Sequence, residues 1–110
     1  MIVRNRDLLN QLYRLSLEFG RSWRRPIESI VQETAPDLNE TEQTEISDYI
    51  RETRNKIEHY FYERYEDTDD KKIAELQRQG ARWIQREFPW MDEENRNHGI
   101  SQAIYYAWHG

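Results

Sequence analysis

Arg54 and His59 stand five residues apart in the run Arg54-Asn55-Lys56-Ile57-Glu58-His59. A histidine can give or take a proton near neutral pH, and an arginine is a fixed cation whose planar fork grips a phosphate. Together they could cleave a phosphodiester without a metal, the histidine as acid or base and the arginine holding the developing charge. Asn55, directly after the arginine, could orient either group. On a regular helix five residues turn about 140°, so gathering Arg54 and His59 in one pocket needs a helix break, long side-chain reach or a second subunit.

The Arg-Asn-x-x-x-His pattern of these six residues resembles the motif of the HEPN superfamily, small helical-bundle proteins many of which are ribonucleases. The resemblance implies a metal-independent ribonuclease in which Arg54, Asn55 and His59 act on RNA. Such enzymes are commonly dimeric with the motif near the dimer cleft, so it also implies a homodimer. The chain departs from the family's usual pattern at Glu58, where an apolar residue often precedes the histidine, and at Phe61, where a tyrosine is frequent. Its motif also falls mid-chain rather than near the C-terminal helix.

The same residues have a plainer assignment. In helical register His59 falls with Asp48, Glu52, Asn55, Glu63 and Glu66, away from Ile46, Ile50 and Ile57, which describes a solvated acidic face. His59 then pairs with Glu63 one turn on, and Arg54 flanks the core beside Glu58. A metal is not expected: His59 and Glu63 are only two ligands, and the Glu-x-x-His signature of di-metal bundles is missing. No cofactor is expected either, since phosphate-cradling glycine loops and a nucleophile-elbow serine are absent from the sequence.

Charge gives these residues a second use. The net charge is -5. Residues 1–36 carry six arginines against four acids, residues 37–70 twelve acids against four bases, and residues 71–110 six bases against five acids. A protein that grips nucleic acid by its phosphates needs a basic face, so this balance argues against tight non-specific binding of that kind and favours a basic partner. Thirteen arginines against three lysines, with four tryptophans and seven tyrosines, is a composition suited to contact surfaces. The binding residues expected on this basis are Asp48, Glu52, Glu63 and Glu66, with Tyr62 and Trp90 as aromatic anchors. The function expected first is therefore that of a small acidic interaction protein: an inhibitor, an immunity or antitoxin-like partner, or an assembly subunit. The ribonuclease is the alternative.

The elements that must position these groups are helices. Glycine and proline are sparse, strand-like alternation is missing, and apolar residues recur at steps of three and four. The pattern predicts an all-α fold, a compact bundle of four to five helices in a single domain spanning residues 1–110. A first helix runs from about Asn5 to Phe19 on the stripe Leu8, Leu12, Leu15 and Phe19, with Gly20 as its stop. Leu9, Tyr13 and Leu17 make a second row that is either sandwiched between neighbouring helices or covered by a second copy in a homodimer. Pro26 opens a short second helix that ends before Pro36.

Asn39 and Glu42 have capping-box spacing at the head of the longest helix, which runs to about Glu66 over Ile46, Ile50, Ile57 and Phe61. The Asp67-Thr68-Asp69-Asp70 turn caps a fourth helix, which carries Ile73, Leu76, Ile84 and Phe88 and has Gly80 on the same face for close packing. The last segment, from about Asp92 to Trp108, is expected to break near Asn97-His98-Gly99 into two short helices. The aromatic residues of the last third, Trp83, Phe88, Trp90, Tyr105, Tyr106 and Trp108, are expected mostly in the core. The five residues Arg21-Ser22-Trp23-Arg24-Arg25 have a composition that can stack on bases, though Trp23 packing at the core edge is the simpler use. With no cysteine, no signal-like N-terminus and no long apolar run, a cytoplasmic, non-membrane location is expected.

Overall fold

The computed structural model describes residues 5–17, 26–66 and 69–109. The expectations for Phe19, Gly20, the Arg21–Arg25 run, Asp67 and Thr68 lie outside those residues. The fold is all-α: five helices in the order α1 (Arg6–Leu17), α2 (Ile27–Thr34), α3 (Glu40–Arg64), α4 (Asp70–Glu87) and α5 (Glu93–His109), with no strand among the described residues. None of these helices is long and apolar enough to cross a membrane. The chain divides into two compact units, Met1–Thr53 and Arg54–Gly110, with α3 running from one into the other.

In the first unit α1 packs against α2. The row Leu9, Tyr13 and Leu17 is the deeper of the two on α1, at 5%, 1% and 1% exposure, together with Leu12 and Ser16. Leu8 and Leu15 are only half-buried. The row is buried within its own chain, and this corrects the use of Leu9, Tyr13 and Leu17 as a homodimer surface. Their own chain has already removed that apolar area from water, so a second copy has nothing there to cover. Helix α2 starts at Pro26, whose fixed φ suits a first turn, and buries Ile27, Ile30 and Val31. At the head of α3 the capping box is formed in both directions: the Glu42 amide donates to Asn39 Oδ1 at 2.8 Å, and the Asn39 amide to Glu42 Oε1 at 3.0 Å. Two of the amides a helix start leaves without partners are thereby satisfied.

In the second unit α4 packs against α5. Asp69 caps α4 by accepting from the Lys72 amide at 3.0 Å, and the helix stops at Phe88, ahead of Pro89. Gly80 is buried beneath the Phe61 ring, and a Cβ there would lie 2.7 Å from Phe61 Cε1. Only glycine lets that ring approach so closely. The expected break in the last segment does not occur, since α5 is one helix of 17 residues through Asn97, His98 and Gly99. Asp92 Oδ1 accepts from the Asn95 amide at 2.8 Å and starts the helix, while Asn95, Gly99, Ile100 and Ala103 form one continuous buried face. A glycine inside a helix costs about 1 kcal/mol against alanine, less than burying one isoleucine such as Ile100 contributes, at roughly 1.5–3 kcal/mol.

Candidate functional site

Helix α3 decides where the sequence-derived site residues go. Ile46, Ile50, Ile57 and Phe61 are at most 1% exposed, with Ser47 and Thr53 buried beside them. The Thr53 hydroxyl is satisfied locally, donating to the Tyr49 carbonyl at 2.8 Å. With that face fixed inward, Arg54 is half-buried and Asn55 is exposed. The His59 side chain is 70% exposed, and its Nε2 lies 2.6 Å from Glu63 Oε1. Because α3 is continuous across these positions, Arg54 and His59 project about 140° apart. Within one copy of the chain they therefore do not share a pocket, and His59 makes the one-turn pair expected of a solvated face. Among the described residues no group of three His, Cys, Asp or Glu side chains could hold a metal ion.

The acidic residues separate into two settings. Residues 26–53, all in the first unit, carry eight acids against one cation, Arg51. Arg51 donates to Asp48 Oδ1 at 2.8 Å and also pairs with Glu28, tying α2 to the first half of α3. Asp37, Glu40 and Glu52 are exposed and have no side-chain partner among the described residues. In the second unit Asp70, Glu87, Glu93 and Glu94 are likewise exposed without a side-chain partner among the described residues, whereas the acids at the end of α3 are answered locally. Glu63 has His59 at 2.6 Å and Arg64 at 3.7 Å, and Glu66 has Lys72 at 3.6 Å. Of the expected quartet, Glu52 thus keeps an uncompensated charge, while Asp48, Glu63 and Glu66 share theirs with neighbours. Such exposed pairs are each worth about 0–1 kcal/mol and are open to exchange, yet they lower the local field.

The two aromatic anchors also differ. Tyr62 is 60% exposed. Trp90 is half-buried and set edge-on to Phe88, with ring centroids 6.3 Å apart, so part of it already serves the second unit's own packing. Two rings of the aromatic group expected to lie mostly in the core are on the surface: Tyr105 is 55% exposed and Trp108 59%. The helical register contained the signal for this. On α5 Tyr105 lies about 200° from buried Ala103, and Trp108 about 140° from it. Reading the segment as two short helices hid that register.

A shallow open hollow of about 540 Å³ lies between the end of α3 and the start of α4. Arg64, Lys71 and Lys72 line it together with Glu66, Asp69 and Glu75, so neither sign of ligand charge is favoured. The Arg64 guanidinium is moreover seated on the Tyr60 ring, 3.9 Å from its centroid.

In comparisons with known proteins the chain matches no family model, no curated protein and no solved structure. The HEPN resemblance accordingly stays on the six residues that carry it.

Proposed function

We propose that the protein is a small acidic helical interaction module that holds a basic surface of a partner protein, in the manner of an inhibitor, an immunity or antitoxin-like partner, or an assembly subunit. The observation that carries this reading is the charge of residues 26–53. Eight acids between residues 26 and 53 face one arginine, and Asp37, Glu40 and Glu52 stand exposed without partners among the described residues. A surface of one sign speeds encounter with the opposite sign and rejects like-charged competitors. Two stretches suit different tasks: residues 26–53 supply net charge, while the end of α3 offers exposed Tyr62 beside charges of both signs.

The test is capture from a lysate of the source organism by immobilised wild type and by an Asp37→Asn/Glu40→Gln/Glu52→Gln variant, at low and high salt. The proposal expects a discrete basic protein that the wild type holds at low salt and that both the variant and high salt release. Identical retention by the two proteins at both salt concentrations would refute it.

A further inference from the structure

The last turns of α5 carry the most exposed aromatic cluster among the described residues. Tyr105 and Trp108 are 55% and 59% exposed, and His109 packs against both, its ring centroid 4.3 Å from that of Tyr105 and 4.4 Å from that of Trp108. Tyr106 adds an edge contact to Tyr105 at 5.8 Å.

The electrostatics of this place select the occupant. Residues 97–109 contain no Lys, Arg, Asp or Glu. The negative face of each aromatic ring and the negative end of the α5 dipole therefore act there without a lysine or arginine of the same segment to compete, unlike Tyr60, whose ring already carries Arg64 at 3.9 Å. Two partly exposed side chains are far smaller than the roughly 800 Å² per partner of a stable protein interface, so a second copy of the chain cannot be held by this patch alone. A single cationic side chain matches its size and sign.

We propose that Tyr105 and Trp108 form an anchor for an arginine side chain of the basic partner. This deepens the proposed function and rests on it. The guanidinium lies flat on an exposed ring, and the contact supplies position where the acidic residues of the first unit supply attraction.

The test uses the whole chain and a nonapeptide rich in arginine, with a second peptide in which leucine replaces arginine as control. The indole N–H resonance of Trp108, assigned from Trp108→Phe, is followed during titration, and affinities are compared among wild type, Tyr105→Ser/Trp108→Ser and Asp37→Asn/Glu40→Gln/Glu52→Gln. Circular dichroism verifies that both variants keep their helices. The expected result is a shift of the Trp108 signal with the arginine peptide only, and an affinity about three- to tenfold weaker in the aromatic variant. A shift of equal size with the leucine peptide overturns the anchor, as does unchanged affinity in the aromatic variant. Where the acidic variant alone loses affinity, the anchor fails and the acidic-surface reading survives. Where the aromatic variant alone loses affinity, the anchor stands and that reading fails. No binding of the arginine peptide by wild type overturns both.

Discussion

Trp83 lies nearly flat on Tyr60, with ring centroids 4.4 Å apart and planes 18° from parallel, which joins α4 to the second half of α3. Arg64 sits over the same tyrosine, and Phe61 and Phe88 meet the pair edge-on. Stacked pairs of this kind are worth about 0.5–1.5 kcal/mol beyond the area they bury. Tyr60→Leu keeps most of the apolar area and loses the stack. We expect it to lower the unfolding free energy by about 1 kcal/mol and to reduce the near-UV circular dichroism of the tryptophans. An unchanged near-UV spectrum would mean that the stack does not order Trp83 in solution.

Gly80→Ala tests the contact beneath Phe61. Alanine favours helix by about 1 kcal/mol, but here its methyl group would overlap a ring that is itself fully buried, at a cost of about 1–3 kcal/mol. Thermal unfolding should therefore occur at a lower temperature, and adding Phe61→Leu should recover part of the loss. A higher midpoint for Gly80→Ala alone would show that Phe61 can move aside.

Asn39→Ala removes one arm of the capping box and leaves the Glu42 amide without its acceptor. Helix α3 should be destabilised by about 0.5–2 kcal/mol, read from the midpoint of urea unfolding. Glu42→Ala should cost less, because it removes only the reciprocal bond to the Asn39 amide.

These helix boundaries were legible in the sequence because their signals are local. Pro26, the Asn39/Glu42 spacing and Pro89 each act within a turn or two of chain. Burial on α1 was not legible to the same degree. Two apolar rows lie side by side there, and which one sinks deeper depends on how neighbouring helices cover it, which periodicity does not encode. Gly99 misled for a related reason: its intrinsic cost is real, but tertiary packing of Ile100 and Ala103 outweighs it. The candidate site was half legible. The exposure of His59, Tyr62 and Glu52 follows from register on α3, whereas the neutralisation of Glu63 and Glu66 depends on Arg64 and on Lys72 of α4.

The exposed pair of His59 with Glu63 should matter little to stability. His59→Gln should change the unfolding free energy by only a few tenths of a kcal/mol. In a metal-free incubation with a mixed RNA pool, wild type, Arg54→Ala and His59→Ala should all leave the RNA intact, since the two side chains diverge on α3. Cleavage by wild type that both substitutions abolish would instead establish the ribonuclease alternative, with the second group supplied by another copy.

The account turns on which acids make the contact. The most direct measurement is the affinity for the captured basic partner of two charge-reversed proteins, Glu40→Lys/Glu52→Lys in the first unit and Glu63→Lys/Glu66→Lys in the second, each across a range of salt concentrations. The first pair of substitutions should weaken binding by at least about tenfold at low salt and flatten its salt dependence, while the second, whose charges are already shared with His59, Arg64 and Lys72, should have the smaller effect. Equal affinity of wild type and Glu40→Lys/Glu52→Lys at every salt concentration would contradict the account.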